Sequence, residues 1–193
     1  MLYRTYLATP LGKMLAVASA DALVGLEFDE PDRETRLWRR LRRWRPDQDI
    51  QDGSAPVFAA VTLWLDAYFA SRATDDASVP IDLAGTEFER SVWRDLQAIR
   101  WGQTSSYGTI AARLGRLDAA RAVGAAVGAN PVSLIVPCHR VVGADGSLTG
   151  YGGGLDRKMW LLRHEGARGV AGDLFVAPVG PDRDREAGGR PPR

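Results

Sequence analysis

Hydrophobic and polar positions alternate in three short runs at the start of the chain. Residues 2–8, 13–19 and 22–28 are rich in apolar side chains, with Thr9-Pro10-Leu11-Gly12 and Ala20-Asp21 between them. Period-two alternation is typical of strands, and Pro, Gly and Asp are typical of the turns that join them. The pattern predicts an antiparallel meander of three strands.

Helical spacing of apolar residues follows the meander in two places. Residues 33–44 and 55–70 predict helices, built on Leu37, Leu41 and Trp44 in the first and on Val57, Val61, Leu65 and Tyr68 in the second. A loop at 74–78 and a short strand at 79–83 then complete a predicted α/β domain over residues 1–84. The other face of the first helix carries Arg36, Arg39, Arg40 and Arg43. We interpret it as a solvated face, with contact to a DNA backbone as the alternative.

From Thr86 onward the pattern is helical. Thr86 and Glu89 have the spacing of a capping box, and the helix they begin extends to Gly102. Ser106 begins a second helix that Gly115 ends. Asp118 is predicted to cap a third, which Asn130-Pro131 stops because Pro disfavours a helical residue before it. Two helices joined by a short turn predict a helix-turn-helix in a second domain over residues 85–168.

Composition is that of an ordinary globular protein of one or two domains: 193 residues, 45% hydrophobic, 25% charged and a net charge of +1. No apolar run is long enough to span a membrane, and the N-terminus lacks a signal-peptide pattern. We therefore expect a cytoplasmic protein. Residues 169–193 form a tail; from residue 180 it mixes Pro, Gly, Arg and Asp without apolar periodicity, which predicts disorder.

Charge is unevenly distributed along the chain. Residues 1–84 carry ten Arg and Lys against thirteen Asp and Glu, whereas residues 85–165 carry ten against seven. The second segment is therefore the better candidate for contact with a polyanion.

The third helix of this segment is unusually poor in large side chains. Ala120, Gly124 and Gly128 lie four residues apart on one face, although each glycine costs about 1 kcal/mol relative to alanine in a helix. Such a face allows close approach of either a neighbouring helix or the DNA minor groove, and both readings stay open. Arg121 is the one long side chain on the helix, which suits probing between bases more than reading the major groove.

Cys138 is the single cysteine, so an intramolecular disulfide is excluded, and with two histidines a structural metal site is not expected. The run Leu134-Ile135-Val136 predicts a buried strand that delivers Pro137-Cys138-His139-Arg140 at its end. Because adjacent side chains of an extended segment point opposite ways, we expect a water to bridge Cys138 and His139. An imidazole base needs a carboxylate to orient it, and Glu165 in the last helix is the candidate.

These residues resemble a known family. Pro137-Cys138-His139-Arg140-Val141 is similar to the signature of the O6-alkylguanine-DNA alkyltransferases, the methylated-DNA–protein-cysteine methyltransferases. Four further motifs agree in order and spacing: residues 88–108, Arg121-Ala-Val-Gly124, Asn130-Pro131 and residues 150–166. The resemblance is strong over residues 86–166 and weaker over residues 1–85, where Thr9-Pro10-Leu11-Gly12 is similar.

The resemblance implies a function and a fold. The protein would repair double-stranded DNA by moving a methyl or other alkyl group from O6 of guanine, and from O4 of thymine, to a cysteine, once per molecule. It would act as a monomer without a cofactor. The N-terminal domain would be α/β with ribonuclease-H-like topology, and the C-terminal domain mainly α with a winged-helix-like helix-turn-helix.

The resemblance also implies a role for each matching residue. Cys138 would accept the alkyl group, and His139 and Glu165 would activate the thiol of Cys138. Asn130 would be a hinge between the DNA-binding helix and the cysteine segment. Tyr107 would push the 3′ phosphate of the target nucleotide and help to protonate the leaving base. Arg121 would replace the flipped guanine. Four further residues would contact the substrate or DNA. Tyr151 would form a wall of the base pocket, Ala120 and Gly124 lie on the small-residue face of the third helix, and Arg140 belongs to the signature motif.

The sequence departs from the family pattern in two respects. Gly152 stands where several family members have serine or alanine, and residues 1–137 contain no Cys or His that could bind zinc as in some eukaryotic members.

Two rival functions are considered. A lesion-binding protein without transfer activity is one rival, and it would lack the acceptor cysteine. A cysteine hydrolase using Cys138 and His139 is the other, although the pair is adjacent and no oxyanion loop is evident.

Overall fold

The structure is a computed structural model that describes residues 1–72, 79–168 and 170. The loop predicted at 74–78 and the stretch predicted to be disordered, from residue 180 onward, lie outside these residues.

The predicted meander is present and carries a fourth strand. Strands β1 (Leu2–Leu7), β2 (Met14–Ala18) and β3 (Leu23–Phe28) pair antiparallel in order, and β4 (Ile50–Asp52) joins β1 in parallel, which gives the order β3-β2-β1-β4. β4 was not predicted because it is three residues long and mostly exposed. The predicted strand at 79–83 forms a single parallel bridge between Ile81 and Leu23 instead of a ladder.

Two helices cover opposite faces of this sheet. Helix α1 (Pro31–Trp44) buries Leu37 and Leu41 against one face, in a small core with apolar residues of β1, β2 and β3. Helix α2 (Val57–Phe69) belongs to the main core on the other face, which continues into the C-terminal half of the chain. One core therefore joins the two predicted domains.

The arginine-rich face of α1 is only partly solvated. Arg36, Arg39 and Arg43 are exposed. Arg40 instead forms an ion pair of 2.9 Å with Glu89 and lies 4.7 Å from the centre of the Trp93 ring. The helix thus contacts the C-terminal half through a charged and an aromatic partner.

The C-terminal half has the predicted helices, with one different cap. Helix α3 (Glu87–Gln97) begins with the Thr86–Glu89 capping box, and α4 (Tyr107–Arg113) is capped by the Ser106 hydroxyl. Helix α5 (Ala120–Gly128) begins after Ala119, without a side-chain cap. The predicted cap at Asp118 is wrong, because residues 117–118 form a turn that ends before the helix starts.

The segment between α5 and the last helix is irregular. Two short strands, β5 (Ser105–Ser106) and β6 (Val141–Val142), pair in parallel, and α6 (Leu155–His164) ends the described fold. The strand predicted at Leu134–Val136 is wrong: these residues are buried but turn, and Leu134 has a φ of +72°. The turn is held from outside, since Leu26 of β3 bonds the backbone of Pro131 and Ser133 at 2.9 and 2.8 Å.

Among the described residues, no helix is long and apolar enough to cross a membrane.

Candidate active site at Cys138

Cys138 lies at the start of a short 3₁₀ turn, Cys138–Arg140, and is 8% exposed. The extended conformation expected for this segment is therefore wrong. The sulfur accepts a hydrogen bond of 3.2 Å from Nδ2 of Asn130. The same amide group donates to the carbonyl of Val136 at 2.8 Å and accepts from the backbone N–H of Val132 at 3.0 Å. Asn130 thus links the end of α5 to the thiol.

A buried carboxylate lies on the other side of the turn. Oε1 of Glu165 is 2.7 Å from Nε2 of His139, and Glu165 also accepts hydrogen bonds from Arg140 at 2.7 and 3.0 Å. The hydroxyl of Tyr68 donates to the same carboxylate at 2.7 Å. The three residues that bond this carboxylate are themselves buried.

This arrangement sets the ionisation of the carboxylate and the imidazole. Burial by itself would raise the pKa of Glu165, but the charge and hydrogen bonds of His139 and Arg140 outweigh it and lower the pKa to about 2. Burial lowers the pKa of His139, against the attraction of Glu165. Neutral pH therefore leaves Glu165 ionised and His139 neutral. Nδ1 of His139 is buried without a hydrogen-bond partner in the described structure.

The thiol is protonated in the free protein. Burial raises the pKa of Cys138 to about 11, although the hydrogen bond from Asn130 and the charges of Arg33 and Lys158 lower it in part. A base is consequently needed to form the thiolate, which is the nucleophilic form of cysteine.

Arg140, which is predicted to contact substrate or DNA, is buried in the free protein. It is 6% exposed, bonded to both oxygens of Glu165, and it donates to the carbonyl of Ile99 at 2.5 Å. In the free protein Arg140 therefore holds Glu165, and its contact with substrate or DNA stays a prediction.

The remaining predicted residues surround the thiol less closely. Tyr151 packs against His139, with ring centroids 6.4 Å apart, and its hydroxyl is buried without a hydrogen-bond partner in the described part of the chain. Tyr107 receives a hydrogen bond of 3.2 Å from Thr149 and lies beside Gly124 of α5. On α5, Arg121 is exposed, and a Cβ added at Gly128 would meet nothing within 4 Å. The far end of the small-residue face is therefore open.

Four polar residues near the site were not predicted. Lys158 is fully buried and donates to the carbonyls of Val141 and Thr149 at 2.5 and 2.7 Å. The others lie far away in sequence and gave no local signal: Glu27, Arg33 and Tyr68.

Two family models match this chain one after the other. The model of the 6-O-methylguanine DNA methyltransferase ribonuclease-like domain matches residues 2–83, and that of the DNA binding domain matches residues 87–167. A methylated-DNA–protein-cysteine methyltransferase of Mycolicibacterium paratuberculosis is 56% identical, over 84% of this chain and 91% of its own length.

The chain belongs to the methylated-DNA–protein-cysteine methyltransferase family.

Two further relatives support this membership and the fold. A protein of the same name from Salmonella typhimurium is 44% identical over 83% of this chain and 93% of its own length. A crystal structure of Mycobacterium tuberculosis OGT in complex with DNA is 39% identical, with a TM-score of 0.71 over 88% of this chain and 96% of that chain. The predicted fold class, a ribonuclease-like N-terminal domain and a helical DNA-binding C-terminal domain, is confirmed.

Proposed function

We propose that this protein repairs DNA by transferring a methyl or other alkyl group from O6 of guanine to the sulfur of Cys138, once per molecule. The observation that carries the proposal is the bonded set around the thiol: Asn130 on the sulfur and the buried His139–Glu165 pair beside it. Membership of a family whose relatives are named for methyl transfer from DNA to cysteine supports the same reaction.

Activation of the thiol is assigned to His139. At pH 7 a thiol with a pKa of about 11 is ionised in about one molecule in ten thousand. Glu165 accepts the Nε2 proton of His139, so the lone pair lies on Nδ1, which has no other partner in the described structure. We assign proton transfer from Cys138 to that nitrogen, through one bridging water.

Alkyl transfer then forms one bond and breaks another. The thiolate forms a bond to the alkyl carbon, the bond between that carbon and O6 breaks, and its electron pair remains on the base. A proton delivered from the imidazolium or from Tyr107 completes the guanine. The product is a thioether, which has no carbonyl for water to attack. The protein is therefore consumed by one reaction.

Access to the base is assigned to helix α5. O6 lies inside a duplex, so the nucleotide must rotate out of the stack at a cost of a few kcal/mol. Ala120, Gly124 and the open face at Gly128 suit a minor groove about 6 Å wide. Exposed Arg121 would fill the space that the base leaves.

The proposal includes the two predicted domains. We propose that residues 1–84 form a supporting domain and that residues 85–168 form the domain that contacts DNA and carries the acceptor cysteine. We further propose action as a monomer on double-stranded DNA in the cytoplasm, and activity on O4-alkylthymine because its alkylated oxygen presents the same ether to the thiolate.

A transfer assay with limiting protein tests the proposal. Duplex DNA with O6-methylguanine is supplied in excess, and the repaired guanine is counted against the protein. We expect one repair per protein, and none with Cys138→Ser, whose hydroxyl stays protonated. Many repairs per protein would indicate a hydrolytic or other turnover reaction, and DNA binding without transfer by the unaltered protein would indicate a lesion binder.

Base rotation has its own test. Arg121→Ala should slow repair of duplex DNA about tenfold or more while leaving reaction with the free base O6-methylguanine nearly unchanged, because the free base needs no flipping. Arg72→Ala, an exposed arginine outside the DNA-binding domain, is the matched control. Equal losses on both substrates would show that Arg121 supports only the fold.

A further inference from the structure

A buried ion pair from the N-terminal half reaches the neighbourhood of Cys138. Glu27 is the next-to-last residue of β3, and Arg33 lies in the first turn of α1. Their side chains are 8% and 10% exposed and are 2.6 Å apart. Glu27 also accepts hydrogen bonds of 3.0 Å from the hydroxyl of Ser133 and from the backbone of Phe28. The pair is therefore tied to the segment that connects α5 with the thiol.

The guanidinium of Arg33 lies directly over Gly152. A Cβ added at residue 152 would overlap both terminal nitrogens of Arg33, so the absence of a side chain there makes room for the guanidinium. Tyr151, the adjacent residue, packs on His139. Glu27, Arg33 and Asn130 are among the residues that line a cleft of about 220 Å³, and Asn130 bonds the sulfur of Cys138.

Arg33 has hydrogen-bonding capacity that the protein does not use. Its Nη2 donates to Glu27, whereas Nε and Nη1 are buried without a partner in the described structure. The hydroxyl of Tyr151 is likewise buried without a hydrogen-bond partner among the described residues. Buried donors without a partner are rare and cost about 1–3 kcal/mol each, so such a group beside a reactive thiol indicates a polar ligand.

We propose that Arg33 is a substrate-binding residue, whose Nη1–H donates a hydrogen bond to O6 of the alkylated guanine while Cys138 takes the alkyl group. This inference rests on the proposed function and names a contact made by the N-terminal domain. As the sulfur–carbon bond forms and the carbon–O6 bond breaks, the electron pair and its negative charge stay on O6. A cationic donor stabilises that charge more than it stabilises the neutral ether, so Arg33 accelerates the transfer step itself.

Removal of Arg33 alone would leave Glu27 as a buried, unpaired charge, which is strongly destabilising. The test therefore uses a Glu27→Gln background, in which the bonds from Ser133 and Phe28 can remain. The double variant Glu27→Gln/Arg33→Met keeps the length of the side chain but has no donor, and Glu27→Gln/Arg33→Lys restores one. Glu27→Gln/Arg42→Met, which changes an exposed arginine on the same helix that does not line the cleft, is the matched control.

Three reactions are measured for each variant at one pH: transfer from the free base O6-methylguanine, transfer from duplex DNA, and alkylation of Cys138 by iodoacetamide. Iodoacetamide contains no purine, and iodide leaves without a hydrogen-bond donor. We expect the Arg33→Met change to slow both guanine substrates at least about tenfold and iodoacetamide less than about threefold, with partial recovery in Arg33→Lys.

The other outcomes overturn the inference. Equal losses with guanine and iodoacetamide would mean that Arg33 acts only on the thiol or the fold, and a loss confined to duplex DNA would mean a phosphate contact. Unchanged rates would mean no role. Failure of the unaltered protein to accept a methyl group from any guanine substrate would instead refute the proposed function itself.

Discussion

The side-chain amide of Asn130 lies 3.2 Å from the sulfur of Cys138. Asn130 follows Ala129, the C-cap residue of α5, so a single side chain connects the end of the helix assigned to DNA with the assigned acceptor. Its second bond, to the carbonyl of Val136, fixes the turn that carries the cysteine. We therefore expect displacement of the helix and a change at the sulfur to be mechanically coupled.

Asn130→Ala should weaken both the fold and the reaction. The change leaves the buried N–H of Val132 without its acceptor, which costs about 1–3 kcal/mol of unfolding free energy. It also removes the donor that lowers the pKa of Cys138, so transfer should slow about tenfold or more. Urea unfolding and single-turnover transfer measure the two effects. Ser91→Ala, which loses a hydrogen bond inside α3, should keep the transfer rate; an unaltered rate in Asn130→Ala would argue against the coupling.

The pH profile of transfer should reveal the base. With the pKa of His139 lowered and that of Cys138 raised to about 11, neutral imidazole and thiol coexist between pH 7 and 9. The transfer rate of the unaltered protein should therefore be nearly independent of pH in this range. His139→Phe should be slower, and its rate should rise about tenfold per pH unit because only spontaneous ionisation then supplies thiolate. A tenfold rise per unit in the unaltered protein would contradict the assigned relay.

Acid stability should depend on Glu165. Its pKa in the folded protein is about 2, below the ordinary value of 4.5, so its stabilising contribution is complete above pH 4.5 and is lost as the pH falls toward 2. The contribution is on the order of 3 kcal/mol. Denaturant unfolding across this range should show the loss in the unaltered protein and a smaller dependence on pH in Glu165→Gln. Parallel curves for the two proteins would be inconsistent with the ionised, bonded carboxylate.

The elements that the sequence predicted correctly depend on local signals. The Thr86–Glu89 capping box and the Ser106 cap are determined by neighbours three residues away, and both formed. The alternating runs of the meander likewise needed no distant information. The pairing of Glu165 with His139, by contrast, was a candidate because an imidazole base needs a carboxylate, and the family resemblance implied it too. Sequence spacing alone could not decide it.

The errors arose where tertiary contacts decide the backbone. The apolar run Leu134–Val136 has the composition of a strand, but Leu26 of the sheet captures the backbone on either side and the run turns instead. Tyr68 and Glu165 are 97 positions apart, and Glu27 and Ser133 are 106 apart. No periodicity in a single sequence reports such pairs.

Methylation of Cys138 should lower the stability of the protein. Cys138 is 8% exposed and its sulfur contacts Asn130, so an added carbon must displace packed neighbours at a typical cost of about 1–3 kcal/mol. For a chain of this size the melting temperature should fall by about 2–10 °C. The strain should loosen α5 through Asn130 and so favour release of repaired DNA. Thermal melts of matched free and methylated protein test this, and an equal or higher melting temperature after methylation would refute it.

The most direct test of the account is the intact mass of the protein after incubation with excess duplex DNA containing O6-methylguanine, followed by fragment masses that locate the change. The account predicts that every molecule gains the mass of one methyl group in place of a hydrogen, that the fragment holding Cys138 carries it, and that Cys138→Ser gains nothing. Repair of the DNA without a change in protein mass, or a methyl group on any other residue, would contradict it.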